Sequence, residues 1–60
     1  MKTDATISVV EEFDPSTGDN YFYWSVVAPD GGVYADGESP WRDTAISYAK
    51  QQYRDWLNKQ

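Results

Sequence analysis

From Trp41 to Leu57 the chain holds its apolar residues on one side of a helix. Trp41, Ala45, Ile46, Tyr48, Ala49, Tyr53, Trp56 and Leu57 fall on about half of the circumference, and Asp43, Ser47, Lys50, Gln51, Arg54, Asp55 and Asn58 fill the other half. Ser39 before Pro40 predicts the start, with Ser39 as N-cap and proline at the first helical position, where a missing N–H costs nothing. One such helix in a chain of 60 residues leaves few ways to close a core. It must lie on a sheet, and the alanines at the centre of its stripe let it approach closely.

The residues before it alternate as strands do. In 6–13, Ile7, Val9 and Phe13 oppose Thr6, Ser8, Val10 and Glu12; in 21–28, Phe22, Trp24, Val26 and Ala28 oppose Tyr21, Tyr23, Ser25 and Val27. Both faces of the second run are partly apolar, as in a central strand. A third at 33–38 sets Val33, Ala35 and Gly37 against Tyr34, Asp36 and Glu38. The turn formers at 14–20 (DPSTGDN) and 29–32 (PDGG) join these runs into a three-stranded antiparallel meander. The predicted architecture is α+β, one βββα domain over residues 1–60 with the helix on one sheet face.

Register turns on the second turn. An even loop, either Asp30-Gly31 or Pro29 to Gly32, pairs Ala28 with Val33 and Val26 with Ala35 and sets Trp24 opposite Gly37, giving the indole room. A three-residue loop, Pro29-Asp30-Gly31 with a glycine bulge, would set Trp24 beside Asp36. A one-residue slip moves every side chain of a strand to the other face, so the even loop is expected.

If the helix covers Ile7, Phe22, Trp24, Val26 and Val33, the opposite face stays open. It carries Val10, Tyr21, Tyr23, Val27 and Tyr34, rimmed by Glu12, Asp36 and Glu38. Exposed aromatics edged by charge mark interaction surfaces, and tyrosine is enriched at binding hot spots. Glu12, Tyr21, Tyr23, Tyr34, Asp36 and Glu38 are therefore the candidate partner-binding residues, each ring expected to be exposed.

Charge narrows the partner. Between Thr3 and Trp41 the eight acids Asp4, Glu11, Glu12, Asp14, Asp19, Asp30, Asp36 and Glu38 meet no base, a segment charge of −8, whereas four bases against two acids give +2 from Arg42 onward. Such a surface repels phosphate backbones, which disfavours direct nucleic-acid binding and favours a basic protein surface. With no cysteine and no histidine, disulfides, thiolate metal sites and cysteine or histidine catalysis are excluded. The oxygens of Asp14, Ser16, Gly18, Asp19 and Asn20 do not follow EF-hand spacing, and the i, i+2 pair Asp36 and Glu38 lacks the pocket an acid–base pair needs. No catalytic residue, metal or cofactor is expected. No apolar run approaches the roughly 18 residues of a membrane span, and the first ten residues carry an acid where a signal peptide has its apolar run, so a cytoplasmic protein is expected.

Two family resemblances follow from these residues. The stretch from Trp24 to Val33 resembles the aromatic-x-apolar-x-Ala-x-Asn/Asp-Gly-x-Val hairpin of the small YegP-like domains, which a Ser-led helix also follows. Gly37, Ala45, Ala49, Trp56 and Leu57 resemble the glycine-led, alanine-spaced helix of the HicB-like antitoxin domain, without that family's Pro-x-x-x-Gly-Cys segment. The second resemblance implies an acidic sheet neutralising a small basic toxin. The reading from the residues themselves is a small acidic, non-enzymatic module, an inhibitor or nucleic-acid mimic of phage or mobile-element type, that occupies a basic surface on a larger nucleic-acid-handling protein. A homo-oligomeric structural protein, paired through the open face or an edge strand, is the remaining alternative.

Overall fold

The computed structural model describes residues 4–60. Three strands, β1 (Thr6–Asp14), β2 (Asp19–Val27) and β3 (Val33–Ser39), form one antiparallel sheet in the order β1-β2-β3, and the helix α1 (Arg42–Asn58) crosses one face. The meander-plus-helix architecture predicted from the sequence is therefore the one the chain adopts. β2 starts earlier than its alternation suggested, so the first loop shrinks to the four residues 15–18.

That first hairpin is regular. All nine β1 residues pair in unbroken register with β2, from Thr6 opposite Val27 to Asp14 opposite Asp19. Asp14 ties the turn down: its carboxylate accepts the N–H and the hydroxyl of Ser16 at 2.9 and 2.7 Å, and its carbonyl accepts the Gly18 N–H at 2.9 Å. Gly18 closes the turn at φ +78°, a conformation that favours glycine.

The second hairpin corrects the expected loop while keeping the expected core pairing. The Gly31 N–H donates to the Ala28 carbonyl at 2.9 Å, the Ala28 N–H donates to the Gly32 carbonyl at 2.8 Å, and Gly31 sits at φ +93°. This is the three-residue Pro29-Asp30-Gly31 loop, so Ala28 faces Gly32 rather than Val33, and Val27 faces Val33. Between Val26 and Val27 the register then shifts by one, with Tyr34 as the extra β3 residue, so that Val26 still meets Ala35 and Trp24 still meets Gly37. The turn's chemistry and the core's pattern demand different registers. The bulge satisfies both.

The core is small and built around that pairing. Trp24, Val26, Ala45 and Ala49 form the buried cluster, with Val26 and both alanines fully covered. A Cβ placed on Gly37 would lie 2.7 Å from the Trp24 ring, so the indole occupies the space that glycine leaves open. The Trp24 N–H has no acceptor among the described residues. Burying an unpartnered donor of this kind costs roughly 1–3 kcal/mol, which the area of the buried ring must offset.

Several helix residues correct the expected stripe. Trp41, Tyr48 and Leu57 are 67%, 45% and 45% exposed, whereas Ala45, Ala49 and Trp56 are buried. The helix also starts later than Ser39-Pro40 predicted: Trp41 is its N-cap and makes no side-chain cap. Ser39 ends β3, and its hydroxyl accepts the Trp41 N–H at 3.2 Å, guiding the chain out of the sheet and into the helix. Val33, expected beneath the helix, is 59% exposed because the bulge leaves it paired with Val27.

Candidate functional site

Strand parity divides the sheet into two surfaces. Beneath the helix lie Val9, Phe22, Trp24, Val26 and Ala35. The opposite surface bears Ser8, Val10 and Glu12 from β1, Tyr21, Tyr23 and Ser25 from β2, and Asp36 and Glu38 from β3, and no described element covers it. Glu12 stands directly opposite Tyr21, while Tyr23 sits between Val10 on one side and Glu38 on the other. Five of the six candidate residues are thus brought together as expected.

The sixth is not. The bulge turns Tyr34 toward the helix, where its ring packs against the buried cluster and its hydroxyl donates to the Asp55 carboxylate. The Lys59 ammonium lies 5.6 Å from the Tyr34 ring centre and 3.3 Å from the same carboxylate. Tyr34 therefore fastens β3 to the last turns of α1 and leaves the open face. Tyr34 and Val33 have exchanged the surfaces that simple alternation assigned to them.

The rings of Tyr21 and Tyr23 are half-buried rather than fully exposed. The Tyr23 hydroxyl donates to Asp36 Oδ2 at 2.8 Å, which holds the ring across β3. That hydrogen bond, with partial desolvation and the charges of Asp36 and Glu38, raises the Tyr23 pKa above the usual phenol value. Tyr21 is raised too, by desolvation first and then by the charges of Glu38, Glu12 and Asp14. Both phenols sit in a strongly negative field. Each offers an apolar ring flanked by carboxylates.

Charge sorts by layer. None of the three strands contains a lysine or arginine, and the described cations Arg42, Lys50, Arg54 and Lys59 all lie on α1 or at its C-cap. Arg42 joins the layers, its guanidinium lying 5.0 Å from the Phe22 ring centre and 3.9 Å from Glu11. Past the end of β3 the hairpin tip forms an open trough of about 620 Å³ that runs from Phe13 and Asp14 past Tyr21 to Glu38 and Pro40, extending the acidic surface. Among the described residues no group of three or more acids is placed to hold a metal ion. The Asp14 carboxylate is engaged by Ser16, first through its hydroxyl, which lowers the Asp14 pKa.

Sequence reasoning missed the contacts that cross from sheet to helix. Besides Tyr34 with Asp55, the Tyr53 hydroxyl donates to Asp4 Oδ1 at 2.5 Å, joining residues 49 apart in sequence. Local pattern carries no signal for such a contact. The Tyr34 case had one, since Pro-Asp-Gly is the composition of a three-residue loop whose odd length needs a compensating bulge. No family model matches this chain, and no curated protein or solved structure matches it either. Among the described residues no helix is long and apolar enough to cross a membrane.

Proposed function

We propose that this chain is a small acidic, non-catalytic binding module that occupies a basic surface on a larger, nucleic-acid-handling protein, using the uncovered sheet face. The observation that carries this reading is the separation of charge. Glu12, Asp36 and Glu38 ring Tyr21 and Tyr23 on a face whose strands hold no cation, while the described cations gather on the helix. Carboxylates two apart on β3 project about 6.7 Å from one another on a stiff sheet, a fixed array of negative charge facing one way. Such an array steers a basic partner toward it and competes with phosphates for the same lysines and arginines. The tyrosine rings supply the apolar contact that charge alone lacks.

The test is capture from a lysate on immobilised protein, followed by elution with duplex DNA or with salt. Nucleic-acid-binding proteins that either eluent releases, and that a Glu12→Gln, Asp36→Asn, Glu38→Gln variant no longer retains, would support the reading. Retention indifferent to DNA, to salt and to the three neutralisations would defeat it. A single small basic toxin as the captured species would turn the reading toward an antitoxin.

A further inference from the structure

The outer edge of β1 is a free strand edge protected by its acids Glu11, Glu12 and Asp14 but by no proline, lysine or bulge. Among the described residues β1 pairs with β2 alone, and it runs nine residues without a register shift and contains no proline and no lysine. Natural sheets blunt their edges with such residues, with bulges or with short strands, because an unpaired backbone is a template for another strand. The opposite edge, β3, is two residues shorter and carries the bulge at Tyr34. Along β1, Ile7, Val10 and Phe13 are 36%, 44% and 62% exposed, so apolar side chains stand between the edge's acids.

We propose that β1 pairs antiparallel with β1 of a second copy of this chain, about a two-fold axis through Val10, giving a continuous six-stranded sheet. Two identical antiparallel strands related by a two-fold have that axis normal to the sheet, so paired residues lie on the same face. Centred on Val10, the register pairs every residue of β1. Ile7 meets Phe13 of the second copy, Thr6 meets Asp14, Ser8 meets Glu12, Val9 meets Glu11, and the two Val10 residues face each other. Every acid then stands opposite an uncharged residue. Centring on Val9 would bring Asp14 against Asp4, and centring on Glu11 would set that glutamate against its own copy; like charges directly opposite are destabilising. In the Val10 register the two Glu11 residues are diagonal neighbours, and each is already engaged by the Asn20 amide at 2.7 Å and by Arg42 at 3.9 Å.

The helices leave room for this pairing. α1 lies over all three strands with β2 at the centre, so the two helix axes would be three strand spacings apart, about 14 Å, beyond the 8–10 Å of closely packed helices. Both helices fall on one side of the joined sheet and both open faces on the other. The tyrosine and carboxylate surface is doubled in width. The pairing itself is independent of what that surface binds.

Sedimentation over a concentration series, with cysteine crosslinking, tests the pairing. The protein contains no cysteine, so each introduced thiol reports alone. The expected mass doubles with concentration, half-complete below about 1 mM. Val10→Cys should form a disulfide-linked dimer. Ser8→Cys and Glu12→Cys should crosslink when mixed and neither with itself, because the two copies of position 8 stand roughly 13 Å apart along the strands. Val10→Glu, with an unchanged circular dichroism spectrum, should weaken dimerisation at least about tenfold by placing two carboxylates on the axis. A monomer mass up to about 1 mM, at the weak end of measurable association, would overturn the proposal. So would a dimer in which Tyr23→Cys crosslinks and Val10→Cys does not, since that places the contact face to face.

Discussion

The two hairpins of this sheet solve the same problem differently. β1 and β2 pair through nine residues without interruption, and the Asp14-Ser16 turn delivers every side chain to the face its alternation assigns. β2 and β3 begin in the register set by the Pro29-Asp30-Gly31 loop and change to the register the core needs within two residues of it. In the first hairpin turn and core agree, so β1 keeps one register along its whole length. In the second they disagree by one residue. The extra residue is Tyr34, and its displacement sends a hydroxyl to the helix that would otherwise have joined the open face. A bulge is thus a reconciliation between local turn preference and long-range packing, and it moves a side chain from one face to the other.

The comparison rests on Trp24 meeting Gly37 in spite of the loop, and removing that pair should have the largest effect. Trp24→Ala should cost on the order of 3–5 kcal/mol, comparable to the whole stability of about 3–9 kcal/mol that a chain of this length can have, leaving it largely unfolded. A well-dispersed NMR spectrum of the mutant would show that the second hairpin does not depend on this pairing. Gly37→Ala is the milder probe. Its methyl group would lie 2.7 Å from the Trp24 ring, so the indole must move, at a cost of about 1–3 kcal/mol in a urea titration. A loss below about 0.5 kcal/mol would mean that the ring is not held against β3.

Deleting a residue separates the hairpins most sharply. Without Tyr34, the three-residue loop and the Trp24-Gly37 pairing become compatible in one continuous register, so the chain should still fold. The loss should be roughly 1–2 kcal/mol, for one hydrogen bond and part of one ring. Deleting Val10 has no bulge to absorb it and would throw half of β1 onto the wrong face. Near-ultraviolet circular dichroism should retain the Trp24 signature in the first deletion and lose it in the second. The reverse outcome would show that the bulge, rather than the core, fixes β3.

The smallest effects concern pH. Asp55 lies below the usual carboxylate value of 3.8, chiefly because the Tyr34 hydroxyl donates to it and then because of Lys59, and Asp14 is lowered by Ser16. A lowered folded-state pKa gives stability that is present above the unfolded value and lost as pH falls through the folded one, so thermal stability should decline below about pH 4. Tyr34→Phe should weaken that acid dependence at the helix end and leave the Asp14 part intact. Tyr23 and Tyr53 are raised above 10.0 by their hydrogen bonds to Asp36 and Asp4. Their contribution is present below the unfolded phenol value and is lost as pH rises through the folded one. Phenolate absorbance should show these two tyrosines ionising later than free tyrosine, and Asp36→Asn should bring Tyr23 back toward it.

The strands, the helix and their order were legible because short-range periodicity encodes them. Alternation of Phe22, Trp24 and Val26 against Tyr21 and Tyr23 marks a central strand with both faces partly apolar, and Ala45 and Ala49 mark the point of close approach. Five of the six candidate surface residues followed from that parity alone. Parity runs only as far as the pairing is regular, however, and beyond the bulge it assigns Val33 and Tyr34 to the wrong surfaces. The helix start was misplaced because Trp41 is still extended, at φ −125° and ψ 140°, so the Ser39 hydroxyl accepts the Trp41 N–H before the helix has begun.

By itself, then, the sequence determined the elements, the central Trp24-Gly37 pairing, and an acidic sheet opposed to a basic helix, since each depends on residues within a few positions or on a single repeated period. Tertiary structure alone decided which side Tyr34 takes, where Asp4 and Asp55 find their partners, and how deeply Tyr21 and Tyr23 settle between neighbouring strands. Those outcomes depend on the simultaneous satisfaction of a turn, a core and a helix, and no one segment of the chain contains all three.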